Sequence, residues 1–298
     1  MSLHDGADVG KEAQEGRIRA DKRIPKIENA QNFCFVIGRP RSGTTVFKSM
    51  LQTHPSVFAV GEIFNESNPR SYFHFQQTLL HDDPCAAFPS RGIGNFLKYL
   101  ENCRSLACKL RPEVNVVVLD IKYDQAHLLC EPWWSIAALP RVFSLLRELG
   151  CRIIDVHRSD LVGLVISNQI AIQTKIYHSN KLGRGEVQDA KIRIDPQRLL
   201  KEVTATSKAY ERIHRHFRDY KRYLMVTYEQ MFDREQFSAS LLDRVASFLG
   251  VAGEFDPVPR LAKLLSDDTY AYVENAAELR AFLKDADDSG TLPVPFQG

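Results

Sequence analysis

The chain has 298 residues, 44% of them hydrophobic and 26% charged, the balance of a soluble globular protein with room for a sizeable core. Its 39 Lys and Arg against 37 Asp and Glu leave a formal charge of +2, which argues against a nucleic-acid binder, where a strong basic excess is expected. The 6 cysteines (Cys34, Cys85, Cys103, Cys108, Cys130 and Cys151) form no CxxC pair. Cys34 and Cys151 sit in or beside apolar runs, so buried free thiols in a reducing compartment are expected, not a disulfide frame or a zinc site.

Residues 1–31 are polar and carry no apolar stretch of the kind a signal peptide needs, so they read as a flexible arm. The basic residues Arg17, Arg19, Lys22, Arg23 and Lys26 would suit an anionic membrane surface. Asp21 and Glu28 dilute that charge and no apolar anchor accompanies it, so a solvated tail is expected. No run in the chain approaches the roughly 20 apolar residues of a bilayer-spanning helix. The expected location is the cytoplasm.

Phe33 to Ile37 is an apolar run that predicts a fully buried strand, and it ends in the glycine-rich turn Gly38-Arg39-Pro40-Arg41-Ser42-Gly43. A helix follows over 44–53, with Val46, Met50 and Leu51 at helical spacing. Residues 57–60 form a short apolar strand leading into Gly61-Glu62. The stretch 65–112 reads as mostly helical and irregular. A second buried strand is expected over 114–121, then an amphipathic helix over 136–149 closed by Gly150. A third strand over 151–156 runs into His157-Arg158 and a helix reaching about 175.

Residues 177–191 are polar, hold Gly183 and Gly185, and predict a mobile loop of the kind that closes over a bound substrate. Asp195-Pro196 starts the next helix, whose apolar face is Leu199, Leu200, Val203, Ile213 and Phe217. A strand over 223–228, a helix over 237–249 stopped by Gly250 and a last helix over 276–284 complete the order. Strands alternating with helices imply an α/β fold, a parallel sheet covered on both faces. Without a repeat or a linker, 32–298 reads as a single domain.

The turn at 38–45 carries the first chemical signal. Between a strand and a helix, its backbone N–H groups and the helix start form an anion cradle. Against the nucleotide-hydrolase pattern GxxxxGK[ST], Gly38, Gly43 and Thr45 match, but the lysine position holds Thr44. The positive charge stands inside the loop, at Arg41.

Pro40-Arg41-Ser42-Gly43-Thr44-Thr45 after a buried strand resembles the 5′-phosphosulfate loop of sulfotransferases that use 3′-phosphoadenosine 5′-phosphosulfate (PAPS). The likeness is closest to bacterial carbohydrate-type members. It implies a P-loop-like three-layer fold with a central parallel sheet flanked by helices. Arg41, Ser42, Gly43, Thr44 and Thr45 would hold the donor's 5′-phosphate, with Arg39 also on the donor, and Arg41 would steady charge growing on the bridging oxygen.

A second stretch resembles the family's 3′-phosphate motif, an arginine after a strand and a helical serine beyond it. Here these are Arg158 and Ser167, which would grip the 3′-phosphate of PAPS and of its product, adenosine 3′,5′-bisphosphate (PAP). Nine helical residues would part them by about 13 Å, so Arg158 must stand before the helix and fold back over it. Ser159, Gly163 and Leu164 occupy places where relatives often carry further basic residues.

The resemblance also supplies candidates for chemistry. Glu62 stands where carbohydrate sulfotransferases place a general base; a bare reading of the residues leaves it open as a partner of Arg39 or Arg41. Lys122 ends the second buried strand and would steady the sulfonate oxygens, with pairing to Asp120 or Asp124 equally open. Asp124 is the second candidate for the base. His157 falls on the donor side, outside the catalytic set. Tyr228-Glu229 resembles a recurring element that holds the loop around the nucleotide, and Lys263 lies where relatives place a basic residue near the donor.

No His, Cys and carboxylate cluster points to a metal. The expected function is therefore in-line sulfuryl transfer from PAPS to a hydroxyl of an oligosaccharide, polysaccharide or glycolipid. Two alternatives stay open at this point. One is a P-loop-type phosphotransferase (kinase), which should carry lysine at 44 and an acidic magnesium ligand. The other is a non-catalytic nucleotide-binding module, against which Glu62 and Lys122 argue.

Overall fold

A computed structural model describes residues 27–129, 138–176, 191–261 and 268–294. Residues 177–190 of the expected acceptor loop, Lys263, Cys130 and the basic residues of the arm lie outside the described residues. Ile27 and Ala30 are buried, so the chain is already packed on the domain before its first strand.

The sheet has five parallel strands in the order β2-β3-β1-β4-β5. These are β1 (Phe33–Gly38), β2 (Val57–Glu62), β3 (Val116–Lys122), β4 (Arg152–His157) and β5 (Tyr223–Thr227). β1 is central and every one of its residues is buried, as its unbroken aromatic and β-branched run demands. A two-stranded hairpin, β6 (Phe232–Asp233) with β7 (Gln236–Phe237), sits after β5.

Helices cover both faces. α1 (Thr44–Leu51) and α7 (Ala239–Leu249) pack Phe47, Met50, Leu51, Leu241 and Val245 against one face. The other face receives α3 (Gly92–Leu110), α4 (Arg141–Leu149), α5 (Leu161–Thr174), α6 (Pro196–Phe217) and α8 (Ala276–Asp288). α2 (Tyr72–Asp82) lies between β2 and α3 and adds Tyr72 to that core. The three-layer α/β architecture is the expected one.

Several boundaries differ for identifiable reasons. α4 begins at Arg141, not at 136, with Pro140 as its N-cap. Proline disfavours helical backbone in the residue before it, and 138–140 are non-helical accordingly. The expectation of buried thiols holds for Cys34, Cys103 and Cys151 and fails for Cys85 and Cys108, which are exposed. Cys103 and Cys108 share α3, and five residues rotate a side chain by about 140°, so one points inward and the other outward.

A buried polar network crosses the α6 side of the sheet. Asp155, fully buried in β4, accepts hydrogen bonds from Tyr123 just beyond β3 and from Tyr223 at the start of β5, the latter at 2.8 Å. His157 Nε2 lies 2.9 Å from Asp155 Oδ2 and 3.2 Å from the Tyr123 hydroxyl. The imidazole stacks on Tyr210 of α6 with ring centroids 4.0 Å apart. Burial, then the neighbouring Asp155 carboxyl, holds the Tyr123 and Tyr223 phenols far above the usual tyrosine range, so both remain donors.

Buried donors left without an acceptor are costly. Asp155→Ala should lower unfolding stability by about 3 kcal/mol or more, and Tyr223→Phe by about 1 kcal/mol. Urea denaturation followed by circular dichroism measures both; equal midpoints for the Asp155 variant and wild type would show that the network carries no stability.

Candidate active site

The phosphate-binding turn leaves β1 at Gly38 and enters α1 at Thr44. Arg41 has a left-handed backbone with φ of 70°, uncommon for a residue with a side chain and the kind of strain that functional loops store. Gly43, with φ of 97°, also needs to be glycine: a Cβ there would stand 2.6 Å from the Tyr228 ring. Ser42 is fully buried and its hydroxyl donates to Arg39 O at 2.8 Å, tying the turn to itself. The N–H groups of Thr44 and Thr45 head the helix, where geometry denies them intrahelical acceptors. An anion is their natural partner.

Around this turn the structure gathers residues distant in sequence. Arg41 Nε donates to the Ser167 hydroxyl at 3.1 Å, from the loop to the middle of α5. Burial, then the neighbouring Arg158, pushes the Arg41 guanidinium below its ordinary value. Two guanidinium groups held this close, both largely buried, describe a site made for an oxyanion.

Arg158 stands just after β4 and folds back over the first turn of α5, as its spacing from Ser167 requires. A Cβ at Gly163 would collide with Asp160 Oδ2 and lie 2.9 Å from Arg158 Nη2, so glycine there makes room first for the Asp160 carboxylate that caps α5 and then for the guanidinium it holds. The guanidinium bonds Asp160 Oδ2 at 3.0 Å and lies over the Tyr228 ring at 5.6 Å, while its backbone N–H donates to the Tyr210 hydroxyl at 3.3 Å. Glu229 accepts from Ser159 N at 2.9 Å and from Asp160 N at 3.2 Å, so it holds the Arg158 loop, the part its motif implied.

Lys122 occupies the floor of the turn. It is buried, donates to both carboxylate oxygens of Asp120 at 2.7 Å, and donates to Thr44 Oγ1 at 2.5 Å. Lys48 of α1 approaches the same carboxylate at 3.5 Å. Of the two pairings open to Lys122, the structure makes the one with Asp120. Asp124 instead faces Arg39, with Nη1 to Oδ2 at 4.0 Å.

Glu62 ends β2 and pairs in register with Asp120. Arg39 and Arg41 do not supply its partners. Its Oε1 accepts from Gln125 Nε2 at 2.7 Å and its Oε2 more weakly from Asn65 Nδ2 at 3.4 Å. A bulge between Ala59 and Gly61, with Gly61 at φ of 106°, re-aims the strand end. Asp120 entered the sequence reading only as an open partner of Lys122, and Gln125 did not enter it as a site residue. Asp120 did leave a signal, as the single charged residue inside the apolar run of β3; Gln125 left none.

The model of the sulfotransferase family matches residues 34–257. No curated protein matches the chain in sequence. Among solved structures, the sulfotransferase domain of the Synechococcus PCC 7002 olefin synthase is 14% identical with a TM-score of 0.43, covering 92% of this chain and 99% of that one. Mouse sulfotransferase SULT7A1, solved with PAP, is 12% identical with a TM-score of 0.40, covering 87% and 83%. Sulfotransferase STF9 of Mycobacterium avium is 12% identical with a TM-score of 0.35, covering 90% and 79%. The family match takes in the anion-binding turn, β3 with Lys122, the Arg158 loop and β5, which is to say the whole site just described, and the chain belongs to the sulfotransferase family as a PAPS-dependent enzyme.

Proposed function

We propose that this sulfotransferase acts on a hydroxyl of a carbohydrate or glycolipid, by in-line transfer with Glu62 as general base. The observation that carries this reading is the separation of charges at the strand ends. Lys122 is engaged by Asp120 and Thr44, whereas the Glu62 carboxylate is held by two neutral amides. Taking a proton at Glu62 therefore breaks no ion pair. At Asp124 it would disrupt the contact with Arg39. A sugar hydroxyl is too weakly acidic to react without a positioned base, and the resemblance to carbohydrate-type members supports that acceptor class.

The residues present suit PAPS. Arg39, Arg41, Ser42, Gly43, Thr44 and Thr45 would hold the 5′-phosphosulfate, through the guanidinium groups, the backbone N–H groups and the hydroxyls of the turn. Arg158 and Ser167 would hold the 3′-phosphate. In the reaction Glu62 takes the hydroxyl proton of the acceptor, the oxygen bonds to sulfur, and the bond from sulfur to the 5′-phosphate oxygen breaks with its electrons going to PAP. Arg41 and Lys122 would offset the negative charge that grows on the bridging and sulfonate oxygens.

Two measurements test this. Wild-type protein should bind PAP far more tightly than adenosine 5′-phosphate without magnesium. Arg158→Ala should erase most of that preference, since each charge-assisted bond to phosphate contributes about 1.5–3 kcal/mol. Calorimetry with both nucleotides on both proteins gives the four affinities, and a preference that survives the substitution would remove Arg158 from the 3′-phosphate.

For the chemical step, label transfer from radiolabelled PAPS to soluble oligosaccharides, polysaccharides, lipid-linked sugars and phenols identifies the acceptor. On that acceptor Glu62→Gln should cut turnover by roughly 100-fold or more with PAP affinity near normal. Near-normal turnover would move the base to Asp124, and transfer to phenols alone would overturn the carbohydrate reading.

A further inference from the structure

We propose that Gln125 is a positioning residue for sulfuryl transfer, one that orients the Glu62 carboxylate. The inference rests on the reading of Glu62 as the base. Gln125 lies in the short 3₁₀ helix Tyr123–Leu128 that follows β3, one strand over from Glu62. Its Nε2 donates to Glu62 Oε1 at 2.7 Å, the shorter of the two hydrogen bonds at that carboxylate.

The orientation of the amide is determined by its other end. Gln125 Oε1 accepts the backbone N–H of Lys122 at 3.4 Å, so the NH2 group must face Glu62. One side chain thus ties the base to the strand end that carries the lysine of the turn. With Oε1 engaged, the weakly held Oε2 is the oxygen left to receive the acceptor's proton. On the main chain, Asn68 Nδ2 donates to Glu62 O at 2.9 Å, which holds the backbone while Gln125 holds the head of the side chain.

A fixed donor holds a carboxylate in one orientation, and a neighbouring cation would compete for it. The charged groups on the neighbouring elements have partners of their own. Asp120 faces Lys122 and Lys48, and Asp124, next to Gln125, faces Arg39. His127 lies farther along the same 3₁₀ helix, and Arg41 bonds Ser167. The shortest contact that orients the Glu62 head is the Gln125 amide.

The test uses Gln125→Met, which removes the donor at similar volume, and Gln125→Glu, which replaces it with a carboxyl group. Both substitutions should lower kcat on the acceptor found by label transfer, by roughly 10-fold or more, with the acceptor's KM and PAP affinity unchanged. Made in the Glu62→Gln background, either should add no further loss, because the carboxylate it orients is already gone.

A merely structural contact would lose the same factor in either background, since the two changes would then be independent. Unchanged kcat in both variants, or losses that add to that of Glu62→Gln, overturn the proposal. If Glu62→Gln turns over normally, the base reading itself has failed, whatever the Gln125 variants do.

Discussion

A turn that binds an oxyanion needs a cation close beneath it, and in this chain that cation comes from the neighbouring strand. Thr44 stands where nucleotide hydrolases have a lysine, and Lys122 of β3 reaches across to its hydroxyl. Strand register makes the reach possible, because Gly38, the first residue of the turn, is the parallel partner of Lys122. Strand periodicity then puts Asp120 on the same face, towards α1, where it takes two of the ammonium's hydrogen bonds. A fully buried carboxylate with one lysine would make a neutral pair. Lys48, approaching from α1, leaves the group with a net positive charge under the turn.

The opposite face of the same strand ends is held by Asp155. Tyr123 follows Lys122, and His157 precedes Arg158, so these two cationic residues each have a chain neighbour pointing into the buried network on the α6 side. Tyr210 extends the hold, stacking on His157 while accepting the Arg158 N–H. The two strand ends that carry the site's charges are thereby fixed relative to one another. Positioning of this kind, through backbone on either side of the functional residue, fixes where the guanidinium and ammonium charges stand.

How much of this was legible in the sequence depended on whether the signal was local. The anion turn was readable because a buried strand, two glycines and a helix start are contiguous. Arg158 and Ser167 stood out because they share one strand-helix unit, and Gly163 between them leaves space for the Asp160 carboxylate and the Arg158 guanidinium it bonds. Partners were readable only where they lie close in sequence, as for Lys122 with Asp120. Asp155 is a polar break in an apolar run, but what it binds arrives from beyond β3 and from β5. Glu62 was open to pairing with the loop arginines, and the bulge at Gly61 turns the strand end towards Gln125 and Asn65 instead.

That last difference bears on the chemistry. A general base and a cation that offsets developing charge work against each other if they pair, since each then cancels the other's field. Glu62 and Lys122 end adjacent strands. Each has other partners. Asp120, in register with Glu62, binds the ammonium on the α1 side, and Gln125 binds the carboxylate with a neutral donor while accepting the Lys122 N–H. On the proposed reading, the base and the cation are thereby kept on neighbouring strand ends without pairing to each other.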